Sequence, residues 1–458
     1  MRIERDTLGE VQVPDDALYG AQTQRAVENY PVSGLREHPL FIRAFVILKK
    51  AAALANRELG ALDEKLADGI IAACDELLND QERYRGQFVV DVFQAGAGTS
   101  FNMNVNEVIA NLVNPERGTY TPIHPNDHVN MAQSTNDVFP TAIRIAALLL
   151  TNELFPQLDA LASAFENRSE AFKDVIKSGR THLQDAVPLT LGQEFRAYAA
   201  ATRRATRLLG DAANELRILG IGGTAVGTGM NAPRGYRQIV VRHLNELTNL
   251  DLKATDDLRE AMQSQLPVAA VSGALRNLAI ELTRITNDLR LLASGPQTGL
   301  AEITLPSVQP GSSIMPGKVN PSMLECMNQI CFHIIGSATT IDYAVQAGQL
   351  ELNVMMPLMA FEILFSIEIL KNYLPVFIAK CIAGIDADRA QCEAYYISSP
   401  SLATALNPII GYAKAAEIAK ESAKSGTPIP QLLREKKLLS DDEIARIFTP
   451  EFLAGQAD

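Results

Sequence analysis

The 458-residue chain contains no tryptophan, and its cysteines are few and scattered. The five cysteines are Cys74, Cys326, Cys331, Cys381 and Cys392. They form no Cys-x-x-Cys pair and no zinc-type spacing with histidine, which argues against a disulfide framework or a metal site. We therefore expect reduced thiols with structural roles, and no bound metal.

Long apolar runs and an excess of positive charge are missing as well. We expect no run long enough to cross a bilayer, and the start of the chain lacks the apolar core of a signal peptide. Lysine and arginine total 41 against 53 aspartate and glutamate, a net charge of −12. This balance disfavours nucleic acid and acidic membranes as partners. The chain is thus expected to be cytoplasmic and to bind neither.

What is present fits a large globular protein. Hydrophobic residues make up 47% and charged residues 21% of the chain, which is typical of folded rather than disordered sequences. The length predicts about three domains. We place a mixed, partly helical N-terminal domain at 1–136, a central helix-bundle domain at 137–390 and a small helical C-terminal domain at 391–458.

Apolar periodicity predicts a mainly α protein. Between residues 271 and 292 the apolar side chains step by four and three in turn, which is typical of a helix that packs lengthwise in a bundle. These side chains are Val271, Leu275, Leu278, Leu282, Ile285, Leu289 and Leu292. Pro267 is expected to start or kink this helix. Other helices are predicted at 41–61, 66–78 and 412–425, and a loop at 114–128.

The segment from Gly311 to Pro321 places two adjacent serines, a lysine and an asparagine among two glycines and two prolines. This composition favours a shaped loop over a helix or strand. Lys318 and Asn320 are suited to binding a carboxylate, and a serine with a stabilised alkoxide can act as a base. A plain solvent-exposed loop is the alternative interpretation.

Seven other sequence blocks accompany this loop. They are Asp6–Glu10, Tyr19–Thr23, Gly96–Asn104, Gln133–Asp137, Gly179–Pro188, Gly223–Gly229 and Glu351–Val354. In this order, and together with the loop, they resemble the conserved blocks of the aspartase/fumarase superfamily. The resemblance covers nearly the whole chain.

The resemblance implies a mainly α, three-domain aspartase/fumarase-like fold with a central bundle of long helices. It also implies a homotetramer in which each active site is built from three subunits. The implied reaction is the reversible elimination of ammonia from L-aspartate to give fumarate. A serine base would abstract a proton, forming an aci-carboxylate (enediolate) intermediate. No cofactor is implied.

The resemblance also implies roles for single residues. The carboxylate on which negative charge develops would be bound by Thr99, Ser134, Thr135 and Ser313. The other carboxylate would be bound by Thr181, Lys318 and Asn320. Asn136 and His182 would lie near the amino group. Catalysis would depend on Ser312 as base, on His182, and on Glu325 as the residue that orients His182.

Two alternatives to an active ammonia-lyase stay open. Ser134-Thr135-Asn136 favours an aspartase, because fumarases generally show Ser-Ser-Asn there. Two features point the other way. His124–Asp127 resembles an accessory dicarboxylate site of fumarases, and Met356 replaces a glutamate common in aspartases. A class II fumarate hydratase is therefore the first alternative. A catalytically silent scaffold is the second, although Ser312 and Lys318 are retained.

Three short patterns have plainer explanations. Ser134–Asn136 is also a good helix N-cap, whatever its chemistry. Ala293-Ser-Gly295 matches the tripeptide that forms the electrophilic group of histidine-type ammonia-lyases, but Gly295-Pro296 indicates the end of a helix. Gly222–Gly229 lacks the strand-turn-helix context and the lysine of a phosphate loop, so no nucleotide cofactor is indicated.

Overall fold

Long helices dominate the computed structural model, which describes residues 1–455. The helices are Ala21–Asn29 (α1), Pro39–Glu58 (α2), Glu64–Asn79 (α3), Gln81–Tyr84 (α4), Thr99–Val113 (α5), Thr135–Ala171 (α6), Leu191–Asn214 (α7), Tyr236–Thr248 (α8), Leu258–Gln263 (α9), Leu266–Leu292 (α10), Ser322–Gln346 (α11), Met356–Lys380 (α12), Arg389–Ser398 (α13), Asn407–Ile410 (α14), Tyr412–Ser425 (α15), Ile429–Glu435 (α16), Asp441–Ile447 (α17) and Pro450–Leu453 (α18). The strands are Arg2–Asp6 (β1), Gly9–Val13 (β2), Ile176–Thr181 (β3), Gln184–Thr190 (β4), Ile218–Leu219 (β5), Lys253–Ala254 (β6), Ile303–Thr304 (β7) and Asp386–Ala387 (β8). They pair two by two, and among the strands of residues 1–455 only β5 and β6 run parallel. The predicted mainly α fold is confirmed.

The chain divides into two compact units. Unit 1 comprises 1–155, 207–277 and 332–371, and unit 2 comprises 156–206, 278–331 and the residues from 372 onward. Each of the five longest helices has residues in both units. The domain boundaries expected after residues 136 and 390 stay predictions.

The heptad pattern of α10 is confirmed by burial. All seven apolar positions from Val271 to Leu292 are buried, because steps of four and three residues keep them on one side of the helix. Pro267 lies in the first turn, where its missing amide hydrogen costs nothing. The predicted helix at 412–425 also has these bounds, and it ends at Gly426 in the left-handed conformation.

The N-terminal hairpin of β1 and β2 was not predicted. Only β2 shows apolar alternation, with Val11 and Val13 buried, whereas the one buried side chain of β1 is the charged Glu4. Glu4 accepts hydrogen bonds from the Ala21 amide and from the Tyr120 hydroxyl, at 3.0 and 2.8 Å. A buried carboxylate with partners far along the chain stabilises this hairpin, and such contacts leave no local pattern.

Helix α6 corrects one expectation. By length and composition it is apolar enough to cross a membrane, although no such run was expected. However, 78% of its most apolar stretch is buried inside the protein. Its apolar character therefore reflects core packing.

The cysteine prediction is confirmed: all five are free thiols. Four of them are buried, and burial raises the pKa of Cys74 to about 12. These thiols are therefore poor nucleophiles at neutral pH.

Candidate functional site

A pocket of about 480 Å³ in unit 1 brings together four of the predicted site residues. These are Thr99, Ser134, Thr135 and Asn136. Hydroxyl and amide side chains surround them, and Lys and Arg are absent from the described lining of this pocket. The pocket is thus polar and rich in hydrogen-bond donors, but it has no cation on its wall.

Two helices begin at this pocket. Helix α5 starts at Thr99 and α6 starts at Thr135, so the positive ends of both helix dipoles lie at the pocket. Gly98 precedes Thr99 with φ of 83°, and a Cβ atom there would lie 2.0 Å from the ring of Phe139. Only glycine fits this close approach. Such a pair of helix N-termini is suited to an anion.

The side chains of residues 134–136 are oriented by local hydrogen bonds. The Asn136 amide donates to Ser134 Oγ at 3.2 Å, so the predicted N-cap is confirmed. Asn136 Nδ2 donates to the carbonyl of Ala225 at 2.8 Å. This bond uses the amino group of the Asn136 side chain. Asn136 Oδ1 is therefore left as an acceptor at the pocket.

Asp137 connects the start of α6 to the turn at residues 222–224. Its Oδ1 accepts from the Ser134 amide at 2.9 Å, and its Oδ2 accepts from the amides of Gly222 and Thr224 at 3.0 and 2.9 Å. The carboxylate is fully buried, and burial raises its pKa to about 7. Three backbone donors compensate for its lost hydration.

Beneath the pocket lies a buried lysine. Lys49 Nζ donates to Asn102 Oδ1, Asn130 Oδ1 and Gln133 Oε1 at 2.8, 3.0 and 3.0 Å. The side chain is completely buried, which lowers its pKa to about 7. Asn102 Nδ2 in turn donates to Thr135 Oγ1 at 2.9 Å. The lysine is therefore connected to a predicted substrate-binding hydroxyl through a single asparagine.

The loop 311–321 borders a second pocket, of about 940 Å³, in unit 2. Lys318, Asn320 and Glu325 line it. The stretch has neither helix nor strand, as predicted, and its ends are fastened because Asn320 Nδ2 donates to the Gly311 carbonyl. Lys318 and the apolar Ile314 are exposed.

Ser312 has donors at its side-chain oxygen. The backbone amides of Ile314 and Met315 donate to Ser312 Oγ at 3.3 and 2.9 Å. Ser312 and Ser313 are not among the described lining of either pocket. Two donors at one hydroxyl oxygen stabilise a negative charge there and so reduce the cost of forming the alkoxide.

Thr181 and His182 lie at the exposed tip of the β3–β4 hairpin, in unit 2. His182 and Leu183 both have positive φ, 56° and 58°, as in a two-residue type I′ turn. This conformation is uncommon for leucine. Strained residues that point out of a fold often serve a site.

The hairpin stands on a buried ion cluster. Glu302 is fully buried and pairs with Lys177 of β3 at 3.3 Å and with Arg180 of β3 at 2.9 Å. Burial of these groups requires the pairing, so the strand is held in place at two positions.

The predicted site residues thus fall into three groups: the unit 1 pocket, the hairpin tip and the 311–325 segment. Within the described part of one chain, no hydrogen bond joins His182 to Glu325. The role of Glu325 in orienting His182 stays a prediction, as do the roles of the other site residues. Among residues 1–455, no three potential His, Cys, Asp or Glu ligands lie together as a metal group would.

Sequence reasoning missed three residues of the pocket's support: Lys49, Asn102 and Asp137. Asn102 and Asp137 belong to blocks noted above but received no role. Lys49 left a readable signal, because it lies four residues after Phe45 and directly after Leu48, on the apolar face of α2. A lysine there must be buried and must find partners.

Comparison with known families agrees with this fold. Residues 9–336 match the family model described as lyase, and residues 402–455 match the one described as fumarase C C-terminus. The chain belongs to this lyase family, and the resemblance to the aspartase/fumarase superfamily is confirmed.

Several relatives that resemble this chain over nearly its full length are aspartate ammonia-lyases. The chain is 46% identical to an aspartate ammonia-lyase of Helicobacter pylori, over 98% of this chain and 97% of the relative. It is 46% identical to that of Bacillus subtilis, over 98% and 95%, and 44% identical to that of Escherichia coli, over 100% and 97%.

Solved structures also resemble this chain over nearly its full length. A cobalt-bound Brucella melitensis structure, described as fumarate lyase:delta crystallin, is 47% identical and covers 99% of both chains with a TM-score of 0.95. The class II fumarase of Schistosoma mansoni is 34% identical and covers 100% of both chains, also with a TM-score of 0.95.

Asp137→Asn tests the support of this pocket. An asparagine keeps one acceptor oxygen and turns an amino group toward a backbone donor, so at least one buried amide loses its partner. We expect the free energy of unfolding to fall by about 1–3 kcal/mol, measured by chemical denaturation. Asp68→Asn, at an exposed ion pair with Arg57, should change it by no more than about 0.5 kcal/mol. Equal stability of the two variants would refute the role of Asp137.

Proposed function

We propose that this protein is an aspartate ammonia-lyase, which converts L-aspartate reversibly to fumarate and ammonia. The observation that carries the proposal is the full-length identity of 44–46% to aspartate ammonia-lyases from several bacteria. Identity to the class II fumarase is lower, at 34%. The enzyme is thus a carbon–nitrogen lyase.

The unit 1 pocket suits the substrate's side-chain carboxylate. When a proton leaves the carbon beside this carboxylate, the electron pair moves into it and a second negative charge develops on its oxygens. Hydroxyls of Thr99, Ser134 and Thr135 line this pocket, where two helices begin, and in this proposal they donate hydrogen bonds to that charge. Ser313 would add a fourth hydroxyl. Donors that are already in position stabilise this transition state more than the ground state.

The remaining assignments follow the charges of the substrate. Asn136 Oδ1 is an acceptor and suits the ammonium group, near which His182 would also lie. Thr181, Lys318 and Asn320 would bind the second carboxylate, and Glu325 would orient His182. Departure of the nitrogen with its bonding pair then leaves the double bond of fumarate.

Ser312 is the proposed base. A serine hydroxyl is too weakly acidic for this task unless its alkoxide is stabilised. The amides of Ile314 and Met315 supply two such donors. The exposed loop must then move over the substrate, which would exclude water and strengthen these interactions.

The three groups of site residues support a shared active site. We propose a homotetramer in which each site combines the unit 1 pocket, the hairpin tip and the 311–325 segment from three subunits. Exposed apolar side chains on the long helices, such as Ile280, Phe332 and Phe365, are available for packing between copies. We further propose that the enzyme acts in the cytoplasm, without nucleic acid, membrane or cofactor.

The substrate assignment is tested by ultraviolet detection of fumarate with L-aspartate in one cuvette and L-malate in another. We expect fumarate from aspartate alone, with ammonia released in equal amount. Fumarate from malate alone would establish the fumarate hydratase alternative. No fumarate from either substrate would indicate a catalytically silent scaffold.

The assignment of the base is tested by Ser312→Ala. Removal of the hydroxyl should abolish turnover, because no proton acceptor is left at this position, while size and thermal unfolding stay as in the wild type. Steady-state kinetics on L-aspartate and analytical ultracentrifugation measure both. A variant with nearly full activity would remove Ser312 as the base.

A further inference from the structure

The unit 1 pocket needs a source of positive potential that its wall does not provide. The proposed reaction concentrates negative charge on one carboxylate, yet the described lining contains only neutral side chains. The protein carries a net charge of −12, so its overall field does not favour an anion. Lys318 is assigned to the opposite carboxylate.

Lys49 is the cation beneath this pocket. It is completely buried, and its partners Asn102, Asn130 and Gln133 all belong to the pocket lining. Among residues 1–455, no carboxylate oxygen lies within ion-pair distance of its Nζ. Asp137 acts on Lys49 through its field, but its oxygens accept from backbone amides instead. A buried cation without a bonded counter-ion is rare, because burial of charge is costly.

The protonated form of Lys49 is the one that fits the geometry. Three acceptor oxygens lie at 2.8–3.0 Å from Nζ. An ammonium group has three hydrogens to give, whereas a neutral amine has two. Three neutral amide oxygens therefore take the place of water around a positive charge.

This arrangement fixes the direction of the next hydrogen bonds. An ammonium group can only donate, so the Asn102 amide must present its oxygen to Lys49 and its Nδ2 to Thr135 Oγ1. Thr135 Oγ1 then accepts, and its own hydrogen is left to donate. In the described part of the chain no acceptor takes this hydrogen.

We propose that Lys49 is a positioning residue of the carboxylate pocket: it fixes Thr135 as a donor through Asn102, and its buried charge favours the doubly negative aci-carboxylate. This role rests on the proposed function. It deepens that function by assigning a source of charge stabilisation to a residue that does not touch the substrate. The benefit is greatest where the negative charge is greatest, in the transition state.

Lys49→Met is the first test. It removes the charge and the hydrogens but keeps a long side chain. We expect kcat/KM for L-aspartate to fall about 100-fold, mainly through kcat. The matched control is Lys50→Met on the same helix, where the lost charge is paired with Asp75 on α3. We expect its kinetics to equal those of the wild type.

Binding measured by calorimetry separates this role from a merely structural one. Succinate represents the ground-state dicarboxylate. In the nitronate of 3-nitropropionate, two negatively charged oxygens lie on one planar nitrogen, as the two oxygens of the aci-carboxylate lie on one carbon, while the carboxylate at the other end keeps its own charge. Lys49→Met should weaken nitronate binding by about tenfold more than succinate binding. A general disturbance of the pocket would weaken both equally, and that result would overturn the proposal.

Asn102→Asp is an independent test that keeps Lys49 and is decisive if Lys49→Met fails to fold. A carboxylate there would pair with Lys49, cancel its charge and accept the Thr135 hydrogen. We expect the same selective loss of nitronate binding, and an unchanged ratio of nitronate to succinate affinity would overturn the proposal. Wild-type turnover of L-aspartate is measured in parallel, so a failure of the proposed function is seen separately from a failure of this inference.

Discussion

The need to compensate buried polar groups is the constraint on which the unit 1 pocket depends. Where α2, α5 and the start of α6 meet, a lysine and an aspartate are both completely buried. Each has exchanged its water shell for protein groups: three amide oxygens for Lys49 and three backbone amides for Asp137. Loss of one partner would leave a buried charge without full compensation in the low-dielectric interior, which is strongly unfavourable. The chain segments that supply these partners are therefore held in one arrangement.

The same compensation prepares the pocket for chemistry. Asp137 holds the first turn of α6 against the 222–224 turn, so the hydroxyls of Ser134 and Thr135 keep their positions without a substrate. Asn102 transmits the orientation of Lys49 to Thr135. Groups that need no reorganisation when charge develops give the largest catalytic effect. The exposed hairpin tip and the 311–321 loop have few such contacts, which suits parts that complete a site only on assembly or closure.

Much of the fold was readable from the sequence because its cause is local. The seam of α10 follows from apolar spacing, and the end of α15 follows from Gly426. The 311–321 loop follows from its glycines and prolines. The β1–β2 hairpin was not readable, since Glu4 is stabilised by residues at positions 21 and 120. The apolar length of α6 was also underestimated.

The candidate site was only partly readable for the same reason. Sequence blocks predicted polar site residues, and the structure places Thr99 and residues 134–136 around one pocket. The blocks did not indicate which buried residues orient these groups. The hydrogen-bond partners of Lys49 lie between 53 and 84 positions further along the chain. No sequence motif spans that distance. Only the position of a lysine on an apolar helix face indicated that it needed partners.

In the proposed shared site, the unit 1 pocket of one subunit and the 311–325 segment of another act together. Mixed assemblies of two inactive variants test it most directly. Ser312→Ala and Thr135→Val chains, each with a different affinity tag, are co-expressed and the doubly tagged assemblies are assayed with L-aspartate. We expect regained activity, because some sites then receive an intact pocket from one chain and an intact Ser312 from another. Doubly tagged assemblies as inactive as either parent would contradict it.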